Sequence, residues 1–327
     1  MAGIKASIII PAYNAEKTID TTLMALQNQN FPKEQFEVIV VDDGSTDQTT
    51  GIVNKFKTTK LIQQKNSGPA LARNTGAKLA SGEVLIFTDS DCVPEKNWLN
   101  EMLQPFEDQS ISGVQGAYKT HQKEWMAQFV QLEIEERYER MKKSKQLDWI
   151  GTYSAGYRKS IYLQEKGFDE QFSKASGEDS DLSYRLQEKG FKLIFNPNAI
   201  VYHKHPTSLT QYLEKKFQHA YWRVLLYKKH PKKISHDSYT PGTLKLQLIF
   251  TIVLGISLVL FVFAKIYAII AIWAIIFLLI TMTPFVLFAA RRNILLSVLA
   301  PCILFLRTIA FLAGLAKGIL VQNSRKG

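Results

Sequence analysis

Short apolar runs alternate with amphipathic stretches as far as Pro241, and beyond it the chain is almost wholly apolar. In the first part, residues 7–11 (SIIIP), 37–41 (EVIVV), 60–64 and 83–88 (EVLIFT) read as short buried strands. Residues 16–29, 49–57 and 70–80 carry helical spacing between them. Strands of about five residues alternating with helices predict an α/β unit built on a parallel sheet. In such sheets, ligands gather at the carboxyl ends of the strands. From Trp98 the pattern loosens. Helices are expected over 125–144, 180–189 and Leu209–Lys229, with a strand over 192–195. The helix over 125–144 is heavily charged and reads as solvated or interfacial. Leu209–Lys229 mixes aromatics with lysines, which suits either a bilayer surface or a packed core.

Past Pro241, residues 246–264 and 266–290 are apolar runs separated only by Lys265, and Ile294–Val321 is a third. A membrane-spanning helix needs about 20 apolar residues, which the first two supply. The third carries Arg307 and Lys317, so it spans, tilts, or lies at the interface with its charges facing protein. The chain has a net charge of +11. Much of the excess flanks the apolar segments, at Lys228, Lys229, Lys232, Lys233, Arg291, Arg292, Arg325 and Lys326. That placement suits anionic headgroups, and no nucleic-acid-binding motif accompanies it. Lys232/Lys233 and Arg291/Arg292 both belong on the cytoplasmic side, so the first two segments form a hairpin and the third is left open. Residues 1–6 carry no apolar h-region, so the first domain is expected in the cytoplasm. Cys92 and Cys302 are too few and too far apart for a disulfide framework. Both read as small buried hydrophobes.

Polar motifs follow the predicted strand ends. Asp89-Ser90-Asp91 comes directly after the strand over 83–88. Two carboxylates spaced this way can share one cleft and hold a hard divalent cation such as Mg²⁺, leaving other positions to phosphate oxygens. Asp42-Asp43-Gly44-Ser45-Thr46-Asp47 follows the second strand. If Ser45 or Thr46 caps the next helix, Asp43 is free to accept from a base or a ribose. After the first strand, Tyr13 offers a flat face to a nucleobase. Gly68 permits close backbone approach at a helix start, and Arg73 can meet phosphate or pair with one of the acidic loops.

PAYNAEKTI, VVDDGSTD, NSGPALARNTGAKLASGE and FTDSDC, in this order, resemble family 2 glycosyltransferases of the GT-A fold, over residues 5–99. The resemblance implies a mixed, Rossmann-like sheet and a nucleotide-diphosphate sugar donor. Its pocket would draw on Pro11, Ala12, Tyr13, Glu16, Asp43, Gly68, Arg73, Asp89 and Ser90, with Mg²⁺ or Mn²⁺ at Asp89 and Asp91. Gly177-Glu178-Asp179-Ser180-Asp181-Leu182 resembles the family's G-E-D-x-D-L block. That makes Asp179 the first choice and Glu178 the second for the base that deprotonates the acceptor, while Asp181 pairs with Arg185 at i+4. The segment NPNAIVYH resembles the strand leading to a histidine that completes the metal shell, which points to His203 ahead of His205. Processive members carry Q-x-x-R-W, whereas here Gln218-His219-Ala220-Tyr221-Trp222-Arg223 has tryptophan and arginine displaced and reversed.

The expectation is therefore a GT-A catalytic domain over residues 1–235 and a membrane module of two or three helices over 244–321. Its reaction would be inverting, hexosyltransferase-type transfer from a nucleotide sugar, by default a UDP-sugar, to a lipid-linked or membrane-associated acceptor. The protein would be multi-pass, with its catalytic domain on the cytoplasmic side and no nucleic-acid partner. The rivals are a processive polysaccharide synthase and a non-catalytic, sugar-nucleotide-binding scaffold. A nucleotidyltransferase is disfavoured because the first strand end lacks a glycine-rich phosphate loop.

Overall fold

The structure is a computed structural model that describes residues 3–172, 177–234 and 239–324. It divides into two compact units. The first takes in Met1–Gln122 and Tyr138–Lys204, the second Lys123–Arg137 and His205–Gly327.

The first unit is laid down around β1 (Ala6–Ala12), whose Ile8, Ile9 and Ile10 are fully buried. Burying each such side chain contributes about 1.5–3 kcal/mol. There follow α1 (Ile19–Gln27), β2 (Phe36–Asp42), α2 (Thr49–Val53), β3 (Thr59–Gln63), α3 (Pro69–Leu79), β4 (Val84–Phe87), β5 (Val93–Pro94), α4 (Trp98–Leu103) and β6 (Ile111–Lys119). After α5 (Trp125–Lys143), which starts in the second unit, come β7 (Ala155–Arg158), α6 (Lys159–Gln164), α7 (Glu178–Glu188) and β8 (Lys192–Tyr202).

One eight-stranded sheet runs in the order β3-β2-β1-β4-β7-β6-β8-β5. The strands β1 to β4 are mutually parallel, and the near-continuous apolar sequences of β1, β2 and β4 are those of strands covered on both faces, while β3 at the sheet edge (TKLIQ) is only partly buried. The sheet as a whole is mixed, because β7 runs antiparallel to both β4 and β6. The alternation that predicted a parallel sheet stops at β4. Neither β6 nor β7 has a strong apolar signature. In β6 (ISGVQGAYK) the buried Gln115 satisfies itself locally, donating to Gly116 O at 2.7 Å and Ser154 O at 3.2 Å. Strand β8 runs past the expected Phe195, through Pro197 to Tyr202, with a register irregularity against β6.

The expected helix over 16–29 begins only at Ile19. Glu16 is held back in the loop, its amide donating to Asp47 Oδ2 at 3.1 Å and its carboxylate accepting from Gln48 N at 3.1 Å. Likewise α2 ends at Val53 rather than near Lys57.

The second unit holds the first part of α5 with α8 (Leu209–Lys229), α9 (Gly242–Leu260), α10 (Tyr267–Ala290) and α11 (Ile294–Ser324). Three of these, α9, α10 and α11, are long and apolar enough to cross a membrane by length and composition. The 24 residues of α10 extend roughly 36 Å at helical rise. Met126, Phe129, Leu132 and Tyr212 join Leu254, Leu278 and Ile303 in one apolar core. Along α11, Gly318 lets α8 come close, since a Cβ there would stand 2.7 Å from Tyr221 O.

The charges in α11 face protein. Arg307 donates from Nη1 to Glu133 Oε1 and from Nη2 to Gln247 Oε1, each at 2.7 Å. Lys317 lies over the Phe217 ring at 5.7 Å. Burial works against the charge on Glu133, but Lys216 and Arg307 outweigh it and hold the carboxyl down to about 2. Cys302 corrects one expectation: it is exposed on α11, whereas Cys92 is buried as foreseen. Arg325 and Lys326 lie outside the described residues.

Candidate active site

The site is assembled from loops at the carboxyl ends of β1, β2 and β4, with α3, α7 and the end of β8. The β1 and β2 loops brace each other. Asn14, at φ 49, donates from its amide to Ser45 Oγ at 2.9 Å and accepts from Thr46 N at 2.9 Å. Ser45 and Thr46 therefore do not cap α2 as expected. The α2 amides are met instead by Glu16 and by Asp47, whose Oδ1 accepts from Thr49 N at 3.0 Å. Pro11 and Ala12 end β1, and Ala12 O accepts from Asp43 N at 2.8 Å. Tyr13 keeps its ring out, 53% exposed.

Asp43 is not free, contrary to the sequence reading. Its Oδ1 accepts from Gln64 Nε2 at 2.7 Å and Ser67 N at 3.0 Å, and its Oδ2 from Gly68 N at 2.8 Å. These bonds set the entry to α3. Gly68 takes φ 93, a left-handed conformation that glycine adopts without a Cβ clash. Pro69 then occupies the first turn, where a missing N–H costs nothing. About two turns later α3 is pressed onto β1, since a Cβ on Gly76 would stand 2.5 Å from Ile9 Cγ2. This close approach buries Arg73, which is 2% exposed.

Arg73 joins two of the sequence motifs. Its Nη2 donates to Asp89 Oδ1 at 2.7 Å and its Nη1 to Glu178 Oε1 at 2.9 Å. Its Nε is buried and has no hydrogen-bond partner among the described residues. Next to it, Asn74 is spent on structure, accepting from Tyr162 OH and Phe168 N.

The antiparallel pairing of β5 with β8 sets Val93 opposite Tyr202. Asp91, just before β5, thereby meets His203, just after β8, with Nε2 3.2 Å from Oδ2. Among the described residues nothing bonds the Ser90 side chain; its carbonyl accepts from Thr22 Oγ1 at 3.1 Å. His205, the weaker histidine candidate, lies in the second unit and bonds Gln131 at 2.9 Å.

Asp89, Asp91 and Cys92 bring ligand atoms within 4.8 Å of one another. Burial pushes the Cys92 thiol well up, and the charges of Asp89 and Asp91 push it further. What remains for a cation is two partly exposed carboxylates and the His203 imidazole, a hard oxygen-and-nitrogen set that fits Mg²⁺ or Mn²⁺.

At the front of α7, Glu178 is 2% exposed and its Oε2 accepts from Gly177 N at 3.1 Å. Asp179 is half-buried. Its Oδ1 accepts from Ser180 N at 2.7 Å and Ser180 Oγ at 3.3 Å, and no described group bonds its Oδ2. Burial, then the neighbouring charge of Glu178, raises the Asp179 carboxyl to about 7. Asp181 pairs with Arg185 at 2.9 Å, as its spacing predicts.

Sequence reasoning missed Cys92 as a neighbour of the acidic pair. It also missed Tyr118, which stacks on Tyr153 at 3.5 Å and tilts against His203 at 4.8 Å. Cys92 was legible from its position beside Asp91. Tyr118 was not, because it belongs to a strand without an apolar signature.

The sheet order and its mixed strands define the class: an α/β domain of the GT-A fold. The chain resembles the mannosyltransferase PcManGT from Pyrobaculum calidifontis, solved in complex with GDP-Man and Mn²⁺. The TM-score is 0.63 at 19% identity, covering 98% of this chain and 88% of that one. Residues 7–163 match the family described as Glycosyl transferase family 2. Glycosyltransferase AglE of Haloferax volcanii is 43% identical over 98 residues, 28% of this chain and 32% of AglE. A Methanococcus voltae dolichyl N-acetyl-alpha-D-glucosaminyl phosphate 3-beta-D-2,3-diacetamido-2,3-dideoxy-beta-D-glucuronosyltransferase is 25% identical over 243 residues, 68% of this chain and 74% of the relative. The chain spans about half or less of the length of the first curated relatives it matches.

Proposed function

We propose that the protein is a metal-dependent, inverting glycosyltransferase that moves a sugar from a nucleotide diphosphate onto a lipid-linked acceptor at a membrane. One observation carries this reading. A single guanidinium, that of Arg73, bonds both Asp89 of the acidic pair and Glu178, whose neighbour Asp179 has an unbonded carboxylate oxygen. Donor-side and acceptor-side motifs far apart in sequence thus meet at one side chain.

In this reading Asp89 and Asp91, with His203, hold a divalent cation. When bound, the ion supplies positive charge against the departing diphosphate. Asp179 Oδ2 takes the proton of the acceptor hydroxyl as its oxygen bonds the anomeric carbon and the bond to the diphosphate breaks. A carboxyl raised to about 7 suits a base working near neutral pH. Tyr13 is free to lie against the nucleobase, while Asp43, Gly68 and Glu16 shape the nucleotide end through the loops they brace. The acceptor class is supported by the three apolar helices and by the dolichyl-phosphate-linked acceptor that the Methanococcus voltae relative's name records. The basic flanks favour a cytoplasmic catalytic domain, and a UDP-sugar is the first donor to try.

Detergent-solubilised protein with Mg²⁺ or Mn²⁺ is to be given UDP-, GDP- and dTDP-sugars, with and without a membrane lipid extract. Nucleoside diphosphate release is expected from one donor, dependent on metal and lipid. Release from none, under any of these conditions, overturns the reading.

A further inference from the structure

Arg73 is placed oddly for a group that only binds phosphate. It is 2% exposed, and both terminal nitrogens are spent on carboxylates, 2.7 Å from Asp89 and 2.9 Å from Glu178. A planar fork can hold two acids at fixed angles, whereas a lysine ammonium is a point charge. Only one Asp89 oxygen is taken by Arg73, and the side chain is 30% exposed, so its other oxygen stays available on the open side. Glu178 is closed off. Its Oε1 is on Arg73 and its Oε2 on Gly177 N, and neither faces an incoming hydroxyl. Asp179 differs on both counts, being half-buried and unbonded at Oδ2.

We infer that Arg73 is a positioning residue with two tasks: one nitrogen orients Asp89 for a divalent cation, and the other holds the buried Glu178 carboxyl in place beside Asp179. Glu178 then supports the base and never takes the acceptor's proton. The assignment rests on the proposed glycosyltransferase reading and deepens it, since the sequence left Glu178 as the alternative base.

The division of labour is tested on the full chain in detergent by two readouts. The first is Mn²⁺ affinity without donor, followed by the electron paramagnetic resonance signal of free Mn²⁺. The second is transfer kinetics, with thermal unfolding as the control for folding. Arg73→Lys keeps the charge but holds one acid at a time, and should weaken Mn²⁺ binding about 10- to 100-fold, the usual effect of losing a partner that orients a metal ligand. Glu178→Gln keeps an acceptor for Arg73. It should leave Mn²⁺ affinity and donor KM unchanged while lowering kcat about 10- to 100-fold, less than Asp179→Asn does. Because the two act as a unit, the double variant should turn over no more slowly than Arg73→Lys alone.

Folded Arg73→Lys with wild-type Mn²⁺ affinity overturns the inference. So does Glu178→Gln as inactive as Asp179→Asn, and this second comparison decides the matter if Arg73→Lys fails to fold. A wild-type chain that binds Mn²⁺ but transfers no sugar defeats the glycosyltransferase reading, while the Mn²⁺ affinities still judge Arg73. A wild-type chain that binds no Mn²⁺ defeats both.

Discussion

Each of the two units buries an arginine, and the two are built alike up to the point where they meet solvent. Arg73 and Arg307 have side chains 2% and 9% exposed. Each places both terminal nitrogens on acceptors, and each leaves a buried Nε without a hydrogen bond. The difference lies in the acids. Glu133, beside Arg307, is 10% exposed and surrounded: Tyr212 OH donates to it at 2.9 Å and Lys216 Nζ stands 2.9 Å from its other oxygen. Asp89, beside Arg73, is 30% exposed and is followed by Asp91 at 45%. A buried cation whose partners are sealed fixes helices. The same cation with one partner open to solvent prepares a ligand.

The hardest test of the open end is Asp179→Asn. Loss of a general base costs about 10²- to 10⁴-fold, so turnover should fall by that much with the fold intact. The raised carboxyl adds a signature in pH. Asp179 is ionised only above about 7, so wild-type turnover should fall as pH drops through 7. Stability should follow the opposite sign. The folded chain holds this proton more tightly than the unfolded chain, so stability is lost as pH rises from near 4 towards 7. Asp179→Asn, which never ionises, should therefore raise the melting temperature at pH 8 and leave it unchanged at pH 4. A wild-type turnover profile flat from pH 5.5 to 8.5 would remove Asp179 from the reaction.

At the sealed end the effect belongs to stability. Glu133→Ala strands Arg307 and Lys216 together, and breaking a buried pair from one side costs about 3–5 kcal/mol. Removing the charge on both sides with Glu133→Gln and Arg307→Met should recover most of that loss, because the buried guanidinium is gone and the Lys216 ammonium, on a side chain 23% exposed, can turn to solvent. Thermal unfolding in detergent distinguishes the two. If the double variant is as unstable as Glu133→Ala, the network is needed for more than neutralising its own charges.

The contrast also explains what could be read in advance. The run from β1 to β4 was legible because strand, loop motif and helix are contiguous there. Asp89, Asp91 and the front of α7 stood out through their order with the neighbouring motifs and the family resemblance which that order carries. The roles inside the motifs were less visible. Asp43 resembles a ligand in sequence, yet it holds the amides of Ser67 and Gly68. Glu16, expected in the pocket, accepts from Gln48 N at 3.1 Å. Such uses depend on which backbone amides the turn leaves unpaired, and a one-dimensional pattern does not contain that. Arg73 was foreseen as paired with an acidic loop or meeting phosphate. Its second partner, Glu178, lies 105 residues further along the chain, and no local signal points to it. For Arg307, the cost of a charge in an apolar run predicted a partner without identifying Glu133.

The smallest expected effect belongs to Tyr13. Unlike its neighbours Asn14 and Glu16, whose polar groups tie the β1 and β2 loops together, Tyr13 stands on this braced loop with its ring 53% exposed. The fold gains little from it, so Tyr13→Ala should leave the melting temperature within about 1 °C, as for a surface change away from packing. If the ring lies against the base of the donor nucleotide, its loss removes an aromatic contact worth about 0.5–1.5 kcal/mol. Nucleotide affinity by calorimetry should then fall about 2- to 10-fold. Tyr13→Phe, which keeps the face and loses only the hydroxyl, should bind as the wild type does. Equal losses in both variants would mean that the hydroxyl makes the contact. No loss in either would move the base away from the end of β1, leaving the braced loops with a purely structural task like that of Glu133 and Arg307.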